Sequence, residues 1–211
     1  MSQNEVRSLL LKRAAAANLA VDDGLIDRLE TYLQLLARWN ARINLTGFSL
    51  KDPTEQAIDR LIVEPLLIAR AFKYPVGVWF DLGSGGGSPA IPIQLYRPAE
   101  TLVLVESKER KAAFLREVTR DMGLERIEVE CTRIESVATD HRLTGMADLV
   151  TIRAVRPSEP IFASMQRLLR IGGQAALVGS KSDRALHRHG FEVIPSTEVT
   201  SRISLMLLSR T

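Results

Sequence analysis

From Leu25 onward the apolar residues recur at alternating spacings of four and three: Leu25, Leu29, Tyr32, Leu36, Trp39 and Ile43. That spacing lays one stripe along a helix and leaves Arg28, Gln34, Arg38 and Arg42 to face water. Asp22 is the expected N-cap. The stripe reads as a packing face. Residues 4–20 read as an earlier helix. Asn44-Leu45-Thr46-Gly47 breaks the pattern. Asp52-Pro53 then reads as a new start, with a cap, a proline at the first helical position and Glu55 three residues on; this helix is expected to reach about Phe72. Tyr74-Pro75-Val76-Gly77 reads as a joint. The expected division is a helical extension over 1–75 and one domain over 76–211.

Past the joint the periodicity changes. Val78–Leu82, Leu102–Val105, Ala147–Ile152 and Gly173–Val178 are short apolar runs of the kind buried strands show. Arg126–Cys131 alternates, with Ile127, Val129 and Cys131 on one face. Helices are expected over 108–122, capped by Ser107 and ended by Gly123, and over Pro157–Leu169. Gly179–His189 reads as a loop or short helix. Phe191–Ile194 and Ile203–Ser209 read as a closing antiparallel pair. Strands alternating with helices imply an α/β fold with a mostly parallel, doubly wound sheet and an antiparallel C-terminal strand.

Composition agrees with a folded domain: 211 residues, 45% hydrophobic, 25% charged. Mean hydropathy is +0.01. The net charge of +3 is too small to indicate a nucleic-acid partner by itself. Its distribution is uneven: −2 over residues 76–146 and +4 over 147–211, with 22 Arg against 6 Lys. Arg matches phosphate geometry, which suits a polyanionic partner, and GC-rich codons account for the bias equally well. The single cysteine, Cys131, cannot pair within the chain, so a reducing compartment is expected. His187 and His189 form a lone His-x-His in an Arg-rich stretch and read as a solvated turn, so no metal is expected. No signal pattern and no apolar run near the ~18 residues of a membrane span is present. A cytoplasmic location without membrane attachment is expected.

The candidate chemistry lies in Gly83-Ser84-Gly85-Gly86-Gly87, directly after the first strand. Ligands of open α/β sheets bind beyond the carboxyl ends of the strands, where glycine lets the backbone pass close. Two readings compete. Gly85 to Ala90 formally fits the dinucleotide fingerprint with Glu106 as the ribose acid, but Pro89 sits where a pyrophosphate would need an amide, and little chain remains for a second half. The other ligand is S-adenosyl-L-methionine. It has no phosphate, needs a ribose acid such as Glu106, and carries a cationic amino group suited to a carboxylate such as Asp81.

Trp39-Asn40 with Asn44-Leu45-Thr46, the loop from Asp81 through Pro92, Glu106-Ser107, Arg133-Ile134-Glu135 and Arg153-Ala154 together resemble the RsmG/GidB family, bacterial enzymes that methylate ring nitrogen seven of a guanine in 16S rRNA. Trp39-Asn40-Ala41-Arg42-Ile43-Asn44-Leu45-Thr46 matches its W-N-x-x-x-N-L-T. Asp81 through Pro92 is close to D-x-G-[TS]-G-x-G-x-P-G-I-P. Glu106-Ser107, Arg110-Lys111 and Phe114-Leu115-Arg116 resemble D-S…K-R…F-L-R. Arg133-Ile134-Glu135 resembles R-[VA]-E, and Arg153-Ala154 the end of S-R-A. The resemblance runs from about Leu25 to Lys181. It implies a class I, Rossmann-like methyltransferase domain, S-adenosyl-L-methionine as cofactor, and 16S rRNA or the small subunit as partner of a monomer. It implies that Gly83, Gly85, Gly87 and Ser88 line the methionine and ribose part of the cofactor site, that Glu106 binds the ribose, that Ile134 and Glu135 flank the adenine, and that Arg153 closes the site. Asp81 would face the cofactor amino group. Arg133, Arg153 and Arg156 are candidates for RNA phosphates. No catalytic residue is assigned, because a ring nitrogen with an in-plane lone pair needs no general base. The family's H-I-L-D-S appears as Arg60-Leu61-Ile62-Val63-Glu64; Ala90, Ile152 and Val178 are further departures, and Lys181 stands two places from the family's lysine. The rival readings are a methyltransferase of the same fold acting on another RNA or a small molecule, and a relative that binds cofactor or RNA without turnover.

Overall fold

The computed structural model describes residues 3–155, 158–179, 190–200 and 203–211. Four helical segments come first: α1 (Gln3–Ala16), α2 (Asp23–Asn40), α3 (Glu55–Ile58) and α4 (Glu64–Ala69). Strands and helices then alternate as β1 (Val78–Leu82), α5 (Ala90–Tyr96), β2 (Thr101–Val105), α6 (Glu109–Asp121), β3 (Ile127–Glu130), α7 (Ile134–Val137), β4 (Ala147–Arg153), α8 (Glu159–Leu168) and β5 (Leu169–Val178). β6 (Phe191–Thr200) and β7 (Ile203–Arg210) close the chain.

The described strands form one seven-stranded sheet in the order β3-β2-β1-β4-β5-β7-β6. The five strands from β3 to β5 are parallel, and β7 runs antiparallel to both β5 and β6. This is the expected α/β architecture with its antiparallel C-terminal closure. The order reverses between β2-β1 and β4, which opens a crevice above the carboxyl ends of β1 and β4. Among the described residues no helix is long and apolar enough to cross a membrane.

Successive strand residues point to opposite faces and feed two cores. Trp79, Leu102, Leu104 and Leu149 join one cluster with Leu10, Ile26, Leu29, Tyr32, Leu36, Ile62 and Phe114. Phe80, Leu82, Val103, Val105 and Val150 join the other, with Val137, Ile161, Phe162 and Met165. The helices of residues 1–75 therefore bury their apolar stripes against the sheet and against α5 and α6. A tie from α1 to the C-cap of α3 adds to this: Arg13 makes a bidentate pair with Asp59 at 2.6 and 2.8 Å.

Several local expectations need correction. Asp22 caps α2, its side chain accepting from the Leu25 N–H at 2.7 Å, but the helix ends at Asn40 and leaves Ile43 outside it. The next helix starts at Thr54, not Asp52: the Thr54 hydroxyl accepts from Ala57 N, and Pro53 precedes the cap. It is also interrupted by a π-helical turn over Asp59–Val63. Ser107 does not cap α6. The Lys108 amide is taken by the Glu106 carboxylate at 2.8 Å, so the turn is closed one residue earlier by a side chain with two acceptors. Cys131 is exposed just past β3 rather than on its inner face. α5 and α7 were not expected. Gly179 is described, whereas 180–189, with Lys181, His187 and His189, lie outside the described residues, as does Arg156.

Candidate active site

A cavity of about 680 Å³ opens at the carboxyl ends of β1, β2 and β4. Its floor is the glycine loop. The amides of Gly83 and Ser84 both donate to the Val105 carbonyl, at 2.8 and 3.1 Å, so the loop crosses from β1 over the end of β2. Glu106, next along β2, accepts from the Gly85 amide at 3.0 Å through Oε2 and from Lys108 through Oε1. One buried carboxylate thereby sets both the loop and the start of α6, and it remains on the cavity wall with lone pairs to spare.

Three glycines in this loop have positive φ: Gly83 at +77°, Gly85 at +53° and Gly87 at +83°. They are required for different reasons. A Cβ at Gly87 would lie 2.5 Å from Ile91 Cδ1, so that residue is needed for packing onto α5. A Cβ at Gly85 would meet nothing closer than 3.8 Å, so its surroundings within the protein leave room that a ligand can use.

Beneath the loop lies Asp81, fully buried. The register of β1 and β4 sets it opposite Thr151, whose hydroxyl donates to Asp81 Oδ1. The Trp79 indole N–H donates in turn to the Thr151 hydroxyl at 2.9 Å. Asp81 Oδ2 has no partner. Burial pushes the Asp81 carboxyl up to about 6, against the Thr151 and Ser84 hydrogen bonds that pull it down.

The roof comes from the N-terminal helices. α2 ends in Trp39-Asn40. The Trp39 indole donates to Glu117 on α6 at 2.9 Å, and its ring packs on Phe114. Asn40 Oδ1 accepts from the amides of Leu45 and Thr46, both at 2.9 Å, and so folds the following loop back. That loop carries Leu45, Thr46 and Phe48 to the cavity. Two turns earlier, the Tyr32 hydroxyl donates to the Gly86 carbonyl at 2.6 Å. The motif containing Trp39 and Asn40 is thus a device for holding a roof segment over the glycine loop.

The far wall holds Arg153 at the end of β4. Its side chain is only 8% exposed. Nη1 donates to the Ser88 hydroxyl at 3.1 Å; Nη2 donates to the Arg60 carbonyl at 2.7 Å and to Glu64 Oε2 at 3.2 Å. Burial pulls this guanidinium down to about 10, with neighbouring Arg60 acting the same way and Glu64 opposing. Ala154, next in the chain, holds the left-handed conformation at φ +59°, a strain found at ligand sites.

Of the residues singled out from sequence, Gly83, Gly85, Ser88, Glu106, Arg133, Ile134, Glu135 and Arg153 all line the cavity. Asp81 and Gly87 do not: Asp81 lies beneath the loop, and Gly87 packs against Ile91 of α5. Arg153 is locked internally, and Arg133 is exposed at the start of α7. Sequence reading passed over Tyr32, Thr151 and Glu64 as site residues. Two of the three had a signal. A tyrosine in an apolar stripe needs a partner for its hydroxyl, and an acid inside the run Leu61–Ala69 needs one for its charge.

Comparison with known proteins bears on the same elements. The family model for rRNA small subunit methyltransferase G matches residues 25–206. A protein of Paracoccus denitrificans called ribosomal RNA small subunit methyltransferase G is 38% identical over 159 residues, covering 75% of this chain and 78% of that one. The protein of that name from Chloroflexus aggregans is 30% identical and covers 96% of this chain and 90% of its own. Among solved structures, a SAM-dependent methyltransferase from Aquifex aeolicus superposes with a TM-score of 0.58 at 12% identity, covering 72% of this chain and 92% of that one. The [4+2]-cyclase SpnF superposes with 0.60 at 14% identity, covering 88% and 95%. Likeness at such identity reports the fold alone, and this fold serves more than one chemistry.

Proposed function

The chain belongs to the rRNA small subunit methyltransferase G family, and from that premise we propose that it transfers a methyl group from S-adenosyl-L-methionine to N7 of a guanine in small-subunit (16S) rRNA. The observation that carries the reading is the cavity over Gly83–Gly86 and Glu106, roofed by the loop that Asn40 folds.

The cavity suits this cofactor on three counts. Its glycine floor offers clearance and no anion nest: Pro89, without an N–H, precedes α5. Glu106 offers a carboxylate for ribose hydroxyls. The unpartnered Asp81 Oδ2 places uncompensated negative potential under the loop, which favours a cationic ligand. When bound, S-adenosylmethionine supplies an electrophilic methyl group on a sulfonium. Ile134 and Glu135 would flank its adenine, and Gly83, Gly85 and Ser88 its methionine and ribose.

Guanine N7 has an in-plane lone pair and no proton, so the residues around it need not remove one. Their task is alignment at a near-attack distance of ~3–3.5 Å. Positive charge moves to the base during transfer, and Glu135 and Asp81 stabilise it through space. The base must leave its stack to enter. Arg133 is exposed on the rim with Lys108, and Lys111 lies beside them, so these cations can meet phosphates. Arg153 is sequestered and acts from inside the wall.

The test is transfer of label from radiolabelled S-adenosylmethionine to naked rRNA, isolated small subunits and bulk tRNA, followed by nucleoside analysis. Label in 7-methylguanosine from small-subunit RNA alone is expected. Label in tRNA only, or none while the cofactor binds, would overturn the reading.

A further inference from the structure

Residues 60–64, where the sequence departs from its family's pattern, back the cavity, with Arg60 and Leu61 on its lining. Their backbone explains the arrangement. In the π-helical turn the Glu64 N–H bonds the Asp59 carbonyl rather than that of Arg60. The Arg60 carbonyl is thereby released, and Arg153 Nη2 takes it at 2.7 Å. Four residues after Leu61 stands Pro65, which has no N–H to give. The Leu61 carbonyl is therefore open as well, and the Ser88 hydroxyl donates to it at 2.9 Å. Into this frame Glu64, 5% exposed, inserts one carboxylate oxygen between two guanidiniums, 3.2 Å from Arg60 Nη1 and 3.2 Å from Arg153 Nη2.

These contacts engage both terminal nitrogens of Arg153 within the wall. Arg60 lines the cavity, its side chain is 34% exposed, and among the described residues its guanidinium bonds through Nη1 to Glu64 alone. A guanidinium fixed on one side by a carboxylate offers its remaining N–H groups in a defined direction. Guanine presents O6 and N7 as acceptors on one edge; adenine presents N7 beside an amino donor. With N7 committed to the methyl group, O6 is the acceptor left for a protein donor.

We propose that Arg60 is the residue that selects guanine over adenine by donating to O6, and that Glu64 is a positioning residue that holds its guanidinium toward the base. The proposal rests on the methyltransferase reading for its substrate class. Glu64 has a second effect. It keeps the wall from presenting two uncompensated cations to a base that is itself becoming positive.

The experiment separates this from the reaction itself. The chain, saturated with S-adenosylhomocysteine, is titrated with GMP and with AMP and followed by NMR. The unaltered protein should prefer GMP at least fivefold. Arg60→Ala and Glu64→Gln should each abolish the preference, with cofactor affinity by calorimetry within twofold of the unaltered chain. Arg60→Ala/Glu64→Gln should be no worse than Arg60→Ala, because Glu64 acts through Arg60. In methyl transfer to rRNA the same variants should lower kcat/KM together. No preference in the unaltered protein, a preference that survives Arg60→Ala, or additive losses in the double variant would each overturn the proposal. Absence of transfer by the unaltered protein, with the GMP preference intact, would instead overturn the reaction and leave guanine selection standing. A Glu64→Gln chain that fails to fold is replaced by Glu64→Asp, which retains the charge and must retain the preference.

Discussion

The hydroxyl of Tyr32 and the carbonyl of Gly86 are 2.6 Å apart, 54 positions away from each other in the chain. Tyr32 is buried, and burial pushes its phenol well above its usual range, so it stays a donor at any working pH. Tyr32→Phe keeps the ring and orphans the carbonyl. Losing a hydrogen bond of this kind costs about 0.5–1.5 kcal/mol. Denaturant unfolding should show that loss. Cofactor affinity should fall too, because Gly86 is part of the floor. Unchanged affinity would mean that the loop holds its shape without α2.

Gly85 and Gly87 should separate folding from binding. Gly87→Ala forces a Cβ to 2.5 Å from Ile91 at φ +83°, so it should destabilise the fold by roughly 2 kcal/mol or more. Gly85→Ala has open space and only the left-handed strain of about 1–2 kcal/mol. Its melting temperature should drop less than that of Gly87→Ala while S-adenosylmethionine binding, read by calorimetry, falls at least tenfold. Equal binding losses in proportion to stability would contradict a ligand at Gly85.

Asp81 predicts a pH dependence of defined sign. Its folded-state value of about 6 lies above the ordinary 3.8. Between the two, the folded chain holds a proton that the unfolded chain has released. The contribution is therefore present in acid and is lost as pH rises through 6, amounting to about 3 kcal/mol. Asp81→Asn should remove that slope when unfolding is measured from pH 4 to 7. Cofactor binding should run the other way. A cationic ligand favours the ionised carboxylate, so affinity should strengthen as pH rises past 6, and in Asp81→Asn it should not.

Asn40 supplies one oxygen to two backbone amides. Asn40→Asp retains that oxygen and Asn40→Ala does not. The alanine variant should expose the 44–48 loop to protease and raise KM for RNA more than it weakens cofactor binding. The aspartate variant should resist cleavage as the unaltered chain does.

Lys108, Lys111 and Arg133 border the cavity. If they meet phosphates, alanine at each should reduce the salt dependence of RNA binding by about one unit of log–log slope. Fluorescence anisotropy across a salt series would show it. Slopes that stay unchanged would move the RNA elsewhere.

Strand runs such as Val78–Leu82 and Leu102–Val105, and the α2 stripe, were legible in the sequence because apolar periodicity answers to a local geometric rule. The glycine loop and Glu106 were legible because that loop directly after a strand, with an acid ending the next strand, is rare in combination; the Arg133–Glu135 segment was legible only through its resemblance to the family. Thr54 as a cap and Lys108 before α6 were not, since several neighbouring side chains compete for the same amides and only the folded chain decides between them. The same holds for the wall. Pro65 states in the sequence that one carbonyl will lack its helical partner, but not that Ser88 will fill it. Glu64 states that a buried charge will need a counterpart, but not that Arg60 and Arg153 supply it from opposite sides. Composition and periodicity determined the elements and their class, because those preferences act over a few residues. The tertiary structure decided which donors meet which acceptors, because that depends on groups brought together across 54 to 93 positions of chain.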